Sequence, residues 1–378
     1  MLFIHGLNTG GAETLVKNYA LNFNRKKFDV VLLCLAHEKD SPYEEELKNN
    51  GVRMIVVQDS LPFKNSASFC KKVVNYLYSF VVVKRIIRSE NPDILHTHLP
   101  INSFVKYAKP SRGTAIIHTV HSEPTRLWPK NNRKRQKDYR AAEWLVKYYG
   151  MRFIVLHEDM KAVVNRMFGV DNTVVLNNGV DVEKIRNPRS ATAMRRELGI
   201  PKDAFVMGHI GRLLKVKNQS LLVDILASIG TQRKDSFLLM VGDGPDRNAL
   251  ISKLQEKGLE DRYLILSNRN DVSDLLNVMD VFVFPSLYEG IPLSLIEAQI
   301  AKKPCFISDR INPQATISNL VTRLPLEAGA ENWAKAIVDY KKPERTVVND
   351  TDWNIVNITK ELEQLYCVLL EENTSGKQ

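Results

Sequence analysis

The sequence predicts an α/β protein built as two doubly wound domains facing across a cleft. Three observations predict it: a length of 378 residues, two series of short apolar runs alternating with amphipathic stretches, and a polar connection between the series. A chain this long exceeds one ordinary core and divides into two, each able to bury a substantial interior. Hydrophobic residues at 44% and charged residues at 25% are the balance of a soluble globular protein.

The first series opens with "MLFIH", followed by a helical pattern from Ala12. "FDVVLLCLA", a helix, "VRMIVV" and a long helix ending near Arg88 come next. "DILHTH", "TAIIHTV" and "RFIVL" complete it. Strands of Val, Ile and Leu at this length, separated by helices, mark a parallel sheet covered on both faces. After "TVVLNNGVD" the pattern restarts with "AFVMGHIG", "FLLMVGDG", "RYLILS", "DVFVFPS" and "KPCFIS", each followed by a helical segment. The connection "DVEKIRNPRSATAMRRELGIPKD" is polar and poor in strand formers. Both series thus read as Rossmann-like sheets, whose ligands bind beyond the carboxyl ends of the strands.

Composition narrows the function. Cys34, Cys70, Cys305 and Cys367 are scattered, without C-x-x-C pairs or metal-ligand spacing, which implies buried thiols in a reducing compartment. The longest apolar run, "VVNYLYSFVVV", is too short to span a bilayer, and no signal peptide is evident. We therefore expect a cytoplasmic protein. Charge is uneven: residues 1–178 carry a net +11 and the remainder −1. The basic half is expected to meet something anionic.

The most informative stretch is "FPSLYEGIPLSLIEA", which sets Glu289 and Glu297 on either side of a Gly-Ile-Pro turn where a strand becomes a helix. Pro292 fits the first turn of that helix. The N–H groups near Leu293 and Ser294 then lack intrahelical partners, and the helix dipole makes that end an anion site. Gly290 lets the backbone approach a ligand closely. A diphosphate with a sugar at each end, one a ribose, fits this layout. In the alternative, Glu297 merely offsets the dipole and Glu289 is solvated. "GHIGRLLKVKN" adds Arg212 and Lys217 just after a strand, where two cations would neutralise charge developing on a departing diphosphate.

These residues resemble the retaining, nucleotide-sugar-dependent glycosyltransferases of family 4, with the GT-B fold. The resemblance rests on "NTGGAE", "PDILHTH", "TVHS", "GRLLKVKN", "VGDGPDR", "RNDV" and "FPSLYEGIPLSLIEA", and covers nearly the whole chain. It looks most like enzymes that build bacterial capsular or extracellular polysaccharide. The resemblance implies an acceptor-binding Rossmann-like domain over 1–175, a nucleotide-sugar-binding one over 176–345, and a C-terminal segment, 346–378, whose helix (about Trp353–Leu370) crosses back to the first. It implies that Gly10 and Gly11 approach the donor diphosphate and that His121 contacts the donor sugar. Arg212 and Lys217 would hold the diphosphate, with backbone groups at Leu293 and Ser294. Glu289 would bind donor-sugar hydroxyls and Glu297 the ribose, while the Asn268–Val272 loop, with Arg269 and Asn270, lines the base. The chain departs from the family in "LSNRNDV", where Ser267 replaces the usual glycine, and in the short segment after "ISDR", which lacks a Gly-Gly turn.

The implied activity is transfer of a sugar, most readily from a UDP-sugar, to a lipid-linked or oligosaccharide acceptor, with no cofactor or metal. His96 and His98 share a strand face but lack a third ligand at zinc-like spacing. "DTD" at Asp350–Asp352 reads as a helix cap. A nicotinamide-dependent oxidoreductase is disfavoured because "GLNTGG" is not G-x-G-x-x-G and the second strand ends in Ala36-His37. The segment Pro62–Arg152 carries a net +13, densest in "RLWPKNNRKRQKDYR", with Trp128, Tyr139 and Trp144 interleaved. No nucleic-acid-binding module is visible. Peripheral contact with the anionic inner face of the cell membrane explains the segment better, a solvated basic face being the alternative. A nucleotide-sugar epimerase on the same fold and a non-catalytic membrane or nucleic-acid adaptor are the competing functions.

Overall fold

The computed structural model describes residues 1–8, 10–63, 68–129 and 131–375, the last three by backbone only. Two compact units divide the chain. The first comprises Met1–Asn8, Ala12–Gly179 and the chain from Ile355 onward, and the second is built on Val180–Asn354.

The first unit holds seven parallel strands: β1 (Leu2–Ile4), β2 (Val31–Cys34), β3 (Arg53–Val56), β4 (Ile94–His98), β5 (Ala115–Thr119), β6 (Arg152–Val155) and β7 (Val174–Val175). Their order is β3-β2-β1-β4-β5-β6-β7. Every residue of β1, β2, β4 and β5 is buried, while the edge strands β3 and β7 are half-buried. Side chains alternate between two apolar layers, as a period of two requires. Leu2, Ile4, Leu32, Ile94 and Ile117 belong to one layer. Phe3, Leu33, Leu95, Ile116 and Phe153 belong to the other.

The second unit repeats the plan with β8 (Phe205–Ile210), β9 (Ser236–Val241), β10 (Tyr263–Leu266), β11 (Val281–Phe284), β12 (Cys305–Ser308) and β13 (Val321–Leu324), all parallel. The order β10-β9-β8-β11-β12-β13 reverses direction between β8 and β11. Val206, Leu239, Phe282 and Ile307 face one layer, and Met207, Leu238, Val283 and Phe306 the other. β7 and β13 are additional to the eleven strand runs legible in the sequence.

The last helix runs Ile355–Ser375, after a single 3-10 turn at Thr351–Trp353. Ile355, Ile358, Leu362, Tyr366 and Leu369 recur at helical spacing and join the apolar layer of the first unit that contains Leu2 and Ile117. The Asn24 N–H donates to Glu363 Oε1 at 2.7 Å. Asp350 does not cap this helix: its carboxylate accepts from Arg186 instead.

The basic segment contributes the helices Phe69–Glu90, Asn102–Ala108 and Arg133–Tyr149, packed side by side on the seven-stranded sheet. The aromatic residues expected between its cations are not surface groups. Trp128 is buried, its indole N–H donating to Asp138 Oδ2 at 3.0 Å. Tyr139 donates to the Met167 carbonyl at 2.8 Å, and Trp144 is half-buried in the same layer. They hold the helix Arg133–Tyr149 to the fold, which is why amphipathic spacing placed them among the cations.

Buried polar groups tie the last helix to the sheet. His96 Nδ1 lies 2.6 Å from Tyr366 Oη, and His96 Nε2 lies 2.7 Å from Thr119 Oγ1. His118 Nδ1 lies 2.8 Å from Thr97 Oγ1. Burial pushes His96 and His98 well below the ordinary imidazole range and His118 down to about 3.

Two predictions follow from this core. Leu362→Asp puts an unpaired carboxylate in a fully buried position and should cost about 3 kcal/mol or more in urea unfolding. The unfolded chain takes up protons near the ordinary histidine value of 6.5, which the folded chain refuses until pH is far lower. The stabilisation is therefore complete above about pH 6.5 and lost as pH falls towards the folded values. Melting temperature should drop by ~5 °C or more between about pH 7 and pH 4.5, and a flat profile would contradict this.

Candidate active site

In an open parallel sheet, adjacent loops leave in opposite directions where the strand order reverses, opening a crevice beyond the carboxyl ends. The second unit places its reversal between β8 and β11. The β8 loop carries Arg212 and Lys217, and the β11 loop carries Glu289. Two hydrogen bonds join these loops: Leu287 N–H to the Val216 carbonyl at 2.8 Å, and Asn218 Nδ2 to the Pro285 carbonyl at 3.2 Å. Lys217 Nζ then pairs with Glu289 Oε1 at 2.8 Å. The side chains are 16% and 19% exposed, so solvent screens this pair less than a surface one. Lys217 Nζ also sits 4.7 Å from the centre of the Phe284 ring. Arg212 is exposed, and its guanidinium makes no hydrogen bond or ion pair among the described residues.

A buried relay supports the Arg212 backbone. His209 Nδ1 donates to the Val283 carbonyl at 2.9 Å, which leaves Nε2 to accept from Gln219 Nε2 at 3.3 Å. The same Gln219 nitrogen donates to the Arg212 carbonyl at 2.8 Å. Desolvation pushes His209 down to about 4, so the neutral tautomer this relay needs prevails near neutrality. Neither His209 nor Gln219 was picked out from the sequence. The available signal was a histidine inside an apolar strand and a glutamine at the start of the following helix.

The β9 loop comes equally close. A Cβ on Gly242 would stand 2.1 Å from the Gly211 carbonyl oxygen, and one on Gly244 would stand 2.2 Å from that of Leu213. The glycines of "VGDGPDR" therefore serve loop-to-loop packing behind Arg212. Ser267 accepts from Arg247 Nη1 at 3.0 Å.

Glu289 is held through its backbone. It forms a parallel bridge with Ile311, and the Asn312 N–H donates to its carbonyl at 3.2 Å. Arg323 clamps that short segment by donating to the Ile311 carbonyl at 2.7 Å and to the Asn312 carbonyl at 3.2 Å. Pro292 is the N-cap of the helix Leu293–Ile300, with φ −74° and ψ 120°, rather than part of its first turn. Its carbonyl accepts from the N–H groups of Leu295 and Ile296. The amides of Leu293 and Ser294 precede these intrahelical donors, at the positive end of the dipole. Leu293 buries its side chain against Val180, Ile296 and Trp353, so only its backbone is on offer. Glu297 is half-buried on the same helix, and the space beside Gly290 is open.

The remaining sequence candidates lie elsewhere. Arg269 and Asn270 follow β10, two strands from β8 on the same carboxyl edge. Arg269 is engaged by Asp271, Nε to Oδ1 at 2.7 Å, which raises its pKa further. Asp271 is shared with Arg189 at 3.2 Å, and the Asn270 carbonyl accepts from Lys184. His121 belongs to the first unit, just beyond β5, with Nε2 at 3.0 Å from His98 Nδ1. Its Nδ1 is buried without a partner among the described residues, and desolvation pushes its pKa down to about 4. Gly10 and Gly11 lie at the start of the helix Gly11–Asn22, where nothing crowds the position of a Cβ on Gly11. Among the described residues, no group of three or more His, Cys, Asp or Glu is arranged to hold a metal.

Residues 9–184 match the family model for glycosyltransferase family 4, and residues 190–349 match that for glycosyl transferases group 1. EpsF of Bacillus subtilis strain 168, named as a glycosyltransferase, is 28% identical over 360 residues, covering 92% of this chain and 90% of the relative. The Escherichia coli UDP-Gal:alpha-D-GlcNAc-diphosphoundecaprenol alpha-1,3-galactosyltransferase is 29% identical, covering 75% and 72%. The crystal structure of Anabaena Alr3699/HepE in complex with UDP and glucose superposes with a TM-score of 0.73 at 18% identity, over 96% of this chain and 98% of that one. That of WaaG, a glycosyltransferase involved in lipopolysaccharide biosynthesis, gives 0.63 at 14%, over 98% and 93%. Two family models that together span most of the chain, on a pair of doubly wound sheets of GT-B type, establish that the protein is an enzyme belonging to the family 4 glycosyltransferases.

Proposed function

We propose that this enzyme moves a sugar from a UDP-sugar to a lipid-linked glycan, with retention of anomeric configuration, in cell-surface polysaccharide biosynthesis of the capsular or extracellular kind. It would work at the cytoplasmic face of the membrane and need no cofactor beyond the nucleotide sugar. The observation that carries the reading is the Lys217–Glu289 pair beside an uncommitted Arg212, at the reversal point of the second sheet. Supporting the donor are the UDP and UDP-glucose complexes of Anabaena Alr3699/HepE. Supporting the acceptor is the undecaprenol-linked substrate in the name of the Escherichia coli relative.

Breaking the anomeric C–O bond puts positive charge on the sugar ring and negative charge on the leaving diphosphate. Arg212, Lys217 and the amides of Leu293 and Ser294 would stabilise the second of these. Glu289, paired with Lys217, would accept hydrogen bonds from donor-sugar hydroxyls, and Glu297 from the ribose. Arg269 and Asn270 would line the base. In this reading the first domain admits the acceptor and contributes neutral His121, and Gly10 and Gly11 approach the diphosphate. The acceptor hydroxyl attacks the face from which diphosphate departs, and a departing phosphate oxygen takes its proton.

UDP at a hundredfold excess over its dissociation constant should stabilise the wild type by about 2.7 kcal/mol in thermal unfolding, with GDP as the comparison. Lys217→Ala and Glu297→Ala should each remove most of that response while staying folded. Arg212→Ala should lower kcat/KM by about 10²–10³, measured with radiolabelled UDP-sugars and membrane extract as acceptor. Undiminished response and turnover in all three variants would refute the site.

A further inference from the structure

We propose that the helix Phe69–Glu90 seats the protein on an anionic lipid surface, its first turns entering the boundary between headgroups and acyl chains. The inference deepens the membrane part of the proposed function and rests on that reading for the acceptor's surroundings. Its evidence lies entirely in the first unit.

One side of the helix is spent on the fold: Ser79, Val82, Val83 and Ile87 are buried. The opposite side carries Phe69, Val73, Leu77 and Val81, four residues apart, flanked by Val74 and Tyr78. All six are exposed, Phe69 at 78% and Leu77 at 61%. A surface helix ordinarily turns charged residues outward, so an apolar outward face over more than three turns marks an interaction site. Beyond Val81 the outward face changes character. Arg85 and Arg88 are exposed, and Lys84 lies over the Tyr107 ring at 5.4 Å. Lys71 and Lys72 are exposed at the start. The helix has five cations and a single acid, Glu90, which is paired with Arg53 at 2.7 Å. Its neighbours extend the positive field: Lys137 of the helix Arg133–Tyr149 sits 5.7 Å from the Phe80 ring.

This chemistry selects among occupants. A second copy docked through the same face would set like charges against each other. A nucleic acid would satisfy the cations but offer no apolar phase for Phe69 and Leu77. An anionic bilayer supplies both, with phosphates for the cations and acyl chains for the apolar turns. Among the described residues no helix is long and apolar enough to cross a membrane, which suits a helix lying in the interface.

The test is sedimentation of the full chain with vesicles of phosphatidylcholine alone or with ~30% phosphatidylglycerol. Wild type should bind the mixed vesicles at least about tenfold more tightly, and less so as salt rises. Leu77→Glu with Val81→Glu should abolish binding, and Arg85→Glu with Arg88→Glu should remove the preference for phosphatidylglycerol. All four positions are exposed, and unchanged melting will verify folding. Undiminished vesicle binding in the first double variant would overturn the proposal. So would a wild-type dimer in sedimentation equilibrium that this variant turns into a monomer. Turnover with a water-soluble acceptor analogue keeps the two readings apart. Vesicle binding by a wild type that ignores UDP would sink the proposed function alone, while UDP-dependent turnover without vesicle binding would sink this inference alone.

Discussion

The architecture depends on one constraint: a parallel sheet must be covered on both faces, because crossover connections leave no face for solvent. β1, β2, β4 and β5 in one unit, and β9, β11 and β12 in the other, are buried at every residue. All paired strands of a unit run one way, so every loop that follows a strand emerges at the same edge. In the second unit that edge collects Arg212, Lys217, Arg269 and Glu289 from three different strands. Chemistry gathers there as a consequence of how apolar surface is removed from water.

Precision at that edge comes from groups that do not face the crevice. His209, neutral because it is buried, reads out the position of the Val283 carbonyl and passes it through Gln219 to the Arg212 carbonyl. Arg323 plays the matching part on the other side, holding the segment that pairs with Glu289. Both devices fix backbone, which leaves the functional side chains free to meet a ligand. The Lys217–Glu289 pair closes the arrangement by keeping an anion and a cation within hydrogen-bonding distance, ready for a substrate that carries hydroxyls beside phosphates.

The first unit uses polar burial differently. His96 is satisfied by Tyr366 and Thr119 and so joins helix to sheet, while His118 Nδ1 meets Thr97 on the neighbouring strand and its Nε2 is buried without a partner among the described residues. His98, the last residue of β4, turns towards His121 just beyond β5 instead, and burial lowers the pKa of both imidazoles. The positive charge of this unit is concentrated on the helices of one face, where the apolar turns of Phe69–Glu90 are also exposed.

Much of this was legible in the amino-acid order. Eleven of the strands announce themselves as apolar runs, because two-sided burial leaves a continuous hydrophobic signature. β7 and β13 do not, since β7 has only two residues and β13, Val321–Leu324, sets Thr322 and Arg323 between its two apolar residues. Local spacing also determined the strand-to-helix step at Glu289–Glu297, a matter of neighbouring residues. It misjudged Pro292 by one position and set Trp128, Tyr139 and Trp144 among surface cations, because amphipathic periodicity does not say which aromatic reaches the core. Only the tertiary structure decided that Lys217 meets Glu289, that Gly242 and Gly244 admit the Gly211–Leu213 backbone, and that His209 supports Arg212. Those contacts join residues from different strands, and their geometry exists only after the sheet has set the distance between its carboxyl ends.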